Sequence, residues 1–388
     1  MARADRWWRR ASREFPVPQQ IGKGTHVTSP SAELMPLGVS HQELVAQPDA
    51  VATTLDDEAV AIAEVAALVH QRTVTRLYLI GCGDSYFTAW ATKHAFESLW
   101  GTPCEVVQAL EYGEYVAEVS GPDTAVIGLS SSGASGTSVR AIRRAREQGA
   151  LTIGVTNTQG SPFTTEVDAT ILVHATREGW PTQASTAALA SLLLLAVELG
   201  RRRRGSLDSE LDAVWRQIQN LPETMDATIA EQEETARDLA VAFADQDSFF
   251  FLGAGPSYGT AQFGMAKLKE ASQEHSIALE LEEYSHIQSF ALKQREPVFL
   301  VAPTGRSSVR AGQIAASIVR RHGQLIALAD RDGAQIEALA TRCFRLPRLD
   351  ERVSPAVYVL PLQLFAYHLA LLRVERGYQR PLLADHTQ

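Results

Sequence analysis

Two segments of the chain, RLYLIGCGDSYFTAWATKHAFESL from Arg76 and SFFFLGAGPSYGTAQFGMAKLKEA from Ser248, have the same form. Each is an apolar strand, a Gly-x-Gly turn, a Ser-Tyr pair (Ser85 and Tyr86; Ser257 and Tyr258) and a long helix, the mark of a repeated α/β unit. Each unit then continues alike: TAVIGLSSSG and PVFLVAPTGR read as second strands ending in polar turns, and LTIGVTN and LIALADR as third strands. Strands alternating with helices imply parallel sheets with right-handed crossovers and a ligand crevice at the carboxyl ends of the strands. The chain is therefore expected to be α/β, two tandem domains that are each a parallel sheet flanked by helices in three layers. The first covers 35–205, and the second, with its connecting helices and C-terminal tail, covers 206–388.

The 388 residues suffice for two such cores, and 45% hydrophobic residues is an ordinary globular composition. Residues 1–34 carry arginines, Pro and Ser without an apolar stretch suited to a secretory signal, and are expected to be a disordered extension. A net charge of -9 argues against nucleic acid as a partner, and the run Arg201–Arg204 reads as a solvated helix terminus. The longest apolar run, STAALASLLLLAVELG, contains small and polar residues and reads as a buried helix, so no membrane partner is expected. Cys82, Cys104 and Cys343 cannot all pair and lack metal-ligand spacing, which points to a reducing, cytoplasmic location and to no metal. Gly81 and Gly83 lack the third glycine of a dinucleotide fingerprint, so no nicotinamide cofactor is expected either.

The segment VIGLSSSGASGTSVRAIRRAREQGA carries the chemistry in the first unit. A strand ends in Ser130, Ser131, Ser132 and Ser135, and Val139, Ile142 and Ala145 follow at helical spacing. Free N–H groups at a helix start, with hydroxyls beside them, suit a phosphate or a sulfonate; the same residues also suit a plain N-cap and loop.

With GCGDSY, FESLWGTPCEV, SSSGAS, QASTAALASLLLL and KLKEAS in this order, the sequence resembles the double sugar isomerase (SIS) domain family. The likeness is to the isomerase portion of glucosamine-6-phosphate synthase and to stand-alone relatives, and it runs from about Met35 to the C-terminus. The resemblance implies two tandem SIS domains, with Ser85, Ser130, Ser131, Ser132 and Ser135 on the terminal anion of a sugar and Ala184, Ser185 and Thr186 lining the sugar. It implies a catalytic trio of Lys267, Glu270 and His286, with Glu270 moving a proton between carbons 1 and 2 and His286 assisting ring opening. Taken without the resemblance, Glu270 reads as a helix-surface acid paired with Lys267. Glu283 matches a family acid, which implies a role in orienting His286; the same residue also reads as a simple surface acid. The synthase has a C-terminal lysine where QRPLLADHTQ has none, and His386 stands near its place. The resemblance further implies a homodimer with shared sites, because the family's histidine reaches the neighbouring subunit.

The expected function is isomerisation or deamination of a hexose or amino-hexose bearing a terminal phosphate, with no cofactor. Synthase activity from glutamine is not expected, as the chain holds no glutaminase domain. The alternatives are a simple aldose-ketose isomerase for a sulfonated sugar and a non-catalytic sugar-phosphate sensor.

Overall fold

The computed structural model describes residues 30–377, apart from Pro181 and Ser206. Of the expected N-terminal extension, residues 1–29 lie outside the described residues and 30–34 begin helix α1 (Pro30–Val45). Helices α2 (Gln47–Asp57) and α3 (Ala59–Gln71) follow.

The first sheet is built from β1 (Arg76–Gly81), β2 (Cys104–Gln108), β3 (Thr124–Leu129), β4 (Leu151–Thr156) and β5 (Ala169–Leu172). The helices between and after these strands include α4 (Asp84–Ala95), α5 (Gly136–Glu147) and α6 (Gln183–Arg204). After α7 (Ser209–Gln219) and α8 (Leu221–Ala242) the second sheet repeats the plan. It comprises β6 (Ser248–Gly253), α9 (Pro256–Ser272), β7 (His275–Glu280), α10 (Leu281–His286), β8 (Pro297–Val301), α11 (Ser308–Arg320), β9 (Gln324–Asp330) and β10 (Arg342–Leu346), then α12 (Leu360–Glu375).

Both sheets are wholly parallel, ordered β2-β1-β3-β4-β5 and β7-β6-β8-β9-β10. The equivalent strands therefore occupy equivalent places, and in each sheet the order reverses beside the strand that carries the Gly-x-Gly turn.

Strands covered on both faces must be apolar throughout, and β3 and β4 are buried at every residue. Alternation then sorts their side chains. Leu77, Leu79 and Ile127 face inward, while Tyr78, Ile80 and Val126 pack outward against Val139 and Ile142 of α5. In the second sheet Phe251 and Phe299 face inward, with ring centroids 4.9 Å apart, and Phe250 and Leu252 face outward. The inward faces of the two sheets share one core with α4, α6, α8, α9 and α12 between them. The helices α7 and α8 are thus packed parts of the body, as a sequence rich in helix formers implies.

Helices α4 and α9 cross at backbone distance. A side chain on Gly259 would place its Cβ 2.5 Å from the Ala91 nitrogen, and the aromatic pairs Phe87–Phe263 and Trp90–Tyr258 close the crossing on either side. Two helices, Gln183–Arg204 and Pro355–Glu375, are long and apolar enough to cross a membrane, but 94% and 83% of their apolar windows are buried in this core. At the end of α6, Arg202, Arg203 and Arg204 are exposed, as expected of a solvated helix terminus, and Arg201 is half-buried. Arg203 donates to the carbonyls of Trp100 and Gly101, and Arg201 and Arg204 pair with Asp212, Asp208 and Glu210 around the turn into α7.

Candidate active site

A cavity of about 440 Å³ opens at the carboxyl ends of β1 and β3, a size suited to a small metabolite. Its first wall is the glycine turn. Gly83, the residue before α4, has φ +53° and ψ -130°, and its counterpart Gly255 has φ +56° and ψ -131°, a conformation that side chains resist. A Cβ on Gly81 would meet that of Ser85 at 2.8 Å. The turn so formed delivers Asp84 and Ser85 into the first turn of α4 and onto the cavity.

The second wall is the serine loop, which the next strand holds from behind. The Ser131 carbonyl accepts from the Asn157 N–H at 3.2 Å and from the hydroxyls of Thr156 and Thr158 at 3.2 and 3.1 Å. Gly133, at φ +61°, lies so close to Ser161 and Thr156 that any side chain there would overlap their hydroxyls. The serines divide their work. Ser131 spends its proton on Asn157 Oδ1 at 3.1 Å, and Ser130 accepts from the Gly133 N–H at 3.2 Å, keeping its own proton. Ser132 accepts from the Ala134 N–H at 3.3 Å, and Ser135 precedes α5 without making a capping hydrogen bond. The hydroxyls of Ser130, Ser132 and Ser135 therefore remain available as donors at the positive end of α5, the composition of an anion cradle.

Arg177, from the loop before α6, lines the same cavity, its Nη1 3.5 Å from the Thr158 hydroxyl. Ala184 and Ser185 line it as expected. Thr186 does not. Its hydroxyl faces the other way, donating to Gln47 Oε1 on α2 at 3.1 Å, because successive residues of a helix lie about 100° apart around its axis.

The third wall comes from the other half of the molecule. Glu270, near the end of α9, reaches the cavity, and Lys267, one turn earlier and 1% exposed, lies behind it. The Lys267 ammonium is 2.6 Å from Glu270 Oε2 and 2.5 Å from Asp84 Oδ2, and the Ser185 hydroxyl donates to the same Asp84 oxygen at 3.1 Å. Burial pushes the Glu270 carboxyl up to about 7; the nearby ammonium opposes the shift and the Asp84 charge adds to it. Burial alone would lower the Lys267 pKa, but the two carboxylates outweigh it and hold Lys267 charged. Glu270 is thus paired with Lys267, as an isolated reading of the helix suggests, and with its side chain 37% exposed it also lines the open cavity.

Two further residues fall elsewhere. His286 ends α10, its side chain 77% exposed, and is not among the residues lining the cavity. The acid beside it is Glu282, at 3.5 Å, while Glu283 is simply exposed. His386 lies outside the described residues. Asp84, Asn157 and Arg177 were not singled out from sequence; the one available signal was the charge of Asp84 within GCGDSY, where the second unit has Pro256.

The equivalent cradle in the second half is filled by the protein itself. The Arg306 N–H donates to Glu351 Oε2 at 2.9 Å, and a Cβ on Gly305 would overlap that oxygen. The cavity there is lined by Glu97, Glu210, Asp350 and Glu351 against Arg306 and Arg352. An incoming anion meets a carboxylate already in place.

Residues 72–198 and 242–373 each match the SIS domain. The chain is 31% identical over 304 residues to glutamine–fructose-6-phosphate aminotransferase [isomerizing] of Pseudomonas putida, a match covering 77% of this chain and 49% of that protein. The chain thus spans about half the length of the curated relatives it matches. Among solved structures, the C-terminal domain of glucosamine-fructose-6-phosphate aminotransferase from Francisella tularensis superposes with a TM-score of 0.78 at 21% identity, over 86% of this chain and 96% of that one. Glucosamine-6-phosphate deaminase from Thermotoga maritima superposes with a TM-score of 0.66 at 17% identity, over 86% and 94%. With the family matched in both halves, on the two sheets just described, the chain belongs to the SIS domain family.

Proposed function

We propose that the protein is a sugar-phosphate isomerase or deaminase that binds the terminal phosphate of a hexose or amino-hexose at the serine loop and moves a proton between carbons 1 and 2 with Glu270. The observation that carries this reading is Glu270 itself, a carboxyl of pKa about 7 supplied by one half of the chain to the anion cradle of the other. A base matched to neutral pH is what abstraction beside a carbonyl needs. In the open-chain sugar, Glu270 takes the carbon 2 proton, leaving an enediol, and the proton returns at carbon 1. Where carbon 2 carries an amine, the same transfer gives an imine; water then adds and ammonia leaves. A sensor has no use for such a base, which favours the enzyme reading over the alternative of binding alone.

The test is a screen of the purified protein with glucosamine 6-phosphate, fructose 6-phosphate, fructosamine phosphates and sulfoquinovose, reading ammonia and ketose separately. Turnover of a phosphorylated hexose supports the reading; binding without turnover of any of them favours the sensor. Ser132→Ala removes one donor to a charged group, worth about 1.5–3 kcal/mol, so its dissociation constant for the accepted phosphorylated sugar should rise about tenfold or more. Calorimetry showing unchanged affinity removes Ser132 from the cradle.

We further propose a homodimer in which His286 serves the neighbouring site. Within one chain the histidine lies apart from the cavity, and Ile287 and Phe290 beside it are exposed apolar side chains suited to burial against a second copy. Mixing inactive Glu270→Gln and His286→Ala chains should restore partial activity after subunit exchange. An active monomer in sedimentation at assay concentration contradicts the sharing.

A further inference from the structure

We propose that Asp84 is a positioning residue for the proton transfer, holding one side of the Lys267 ammonium so that this cation is shared with Glu270 and never wholly committed to it. The proposal rests on the reading of Glu270 as the base.

The geometry is a bridge of three charges across the two halves. Asp84 opens α4, Lys267 and Glu270 close α9, and the ammonium lies within 2.6 Å of both carboxylates. If Lys267 faced Glu270 alone, the pair would be neutral, and a carboxylate so compensated is a weak base. With Asp84 present, two acids draw on one cation, and the trio carries a net negative charge when both are ionised. One acid must then hold its proton more tightly.

The surroundings decide which one. Asp84 is at the first position of a 12-residue helix, where the positive end of the dipole favours a charged carboxylate, and it accepts from Ser185 as well as from Lys267. Both donors converge on Oδ2; the other oxygen is buried and has no hydrogen-bond partner among the described residues. Glu270 is in the last turn of α9, where free carbonyls disfavour negative charge. Of the two acids, Glu270 is therefore the one whose proton is held more tightly, in keeping with its pKa near 7. Among the described residues, the charged groups acting on Glu270 are Lys267 on its own helix and Asp84 from α4, and Arg177 from the loop before α6 lines the same cavity. Lys267 favours the ionised form, so the raised proton affinity is owed to burial and to Asp84.

The deciding measurement is the titration of the Glu270 carboxyl by carbon NMR in the intact, substrate-free protein, its signal assigned by its absence from Glu270→Gln. In Asp84→Asn the midpoint should fall by about one pH unit, because a neighbouring negative charge is gone and Lys267 turns wholly to Glu270. The acidic limb of kcat/KM, on the substrate identified by the screen above, should move down equally, and the plateau should drop several-fold because the base is weaker. A merely structural role for Asp84 would lower activity at all pH values and leave the limb in place. A midpoint that stays or rises in Asp84→Asn overturns the proposal. If the Asn variant does not fold, Asp84→Thr, which also removes the charge and keeps an oxygen near the helix start, gives the same comparison. Wild-type turnover by Glu270→Gln overturns the reading of Glu270 as base instead, and the titration still decides whether the cation is shared.

Discussion

Glu270→Gln should lower turnover by roughly 100-fold or more while leaving substrate affinity nearly unchanged, since the amide keeps the shape of the side chain and loses only the base. The structure makes this a clean substitution. Glu270 is part of neither the serine loop nor the glycine turn, so the anion cradle is untouched. Substrate incubated with the native enzyme in deuterated water should gain deuterium at carbon 1 or carbon 2, unless the transfer is wholly internal, and the variant should show no exchange. Ring opening is a separate step, so Glu270→Gln should fail equally on cyclic and open-chain substrates, whereas His286→Ala should fail mainly on the cyclic form. Turnover by Glu270→Gln at the native rate would mean that another group carries the proton.

The second large effect expected is on stability. Lys267→Met leaves a hydrophobic stem of similar length but removes the ammonium that lies between Asp84 and Glu270. Breaking a buried ion pair by deleting one partner costs about 3–5 kcal/mol, because the remaining charge is left without compensation. The loss should depend on pH. In the variant Glu270 loses the ammonium that opposes its upward shift, so its folded-state pKa lies further above its unfolded one, ionisation opposes folding, and stability falls as pH rises through that folded value. Urea unfolding of Lys267→Met should thus be near native at acidic pH and weakened at alkaline pH. Adding Asp84→Asn and Glu270→Gln should restore most of the loss. A single variant as stable as the native protein at pH 8 would show that Lys267 does not hold the two halves together here.

What the sequence revealed follows from the range of each interaction. The paired strands β1 and β6, β3 and β8, and β4 and β9 were legible as repeated apolar runs because both of their faces are covered. The edge strands β5, of four residues, and β10, with arginines at two of its five positions, carry too little apolar signal. The serine loop was legible because its glycine and hydroxyls are contiguous. Asp84 was not, since its partner Lys267 is 183 positions away and no local pattern connects them. Arg177 is a lone arginine in a loop, indistinguishable along the chain from a solvated one. Thr186 illustrates the opposite failure: the family resemblance implied that it lines the sugar with Ser185, and the helical turn separates them.

The backbone contact between Gly259 and Ala91 fixes more than packing. The serine loop belongs to one half of the molecule and Glu270 to the other, so the crossing of α4 and α9 sets the span between them. No side chain lies in that contact whose rotamer could lengthen it. On the proposed function the site would act as a calliper for the number of carbons between the charged end of a sugar and its reactive end, and a sugar one carbon shorter, seated on the same serines, should not reach Glu270.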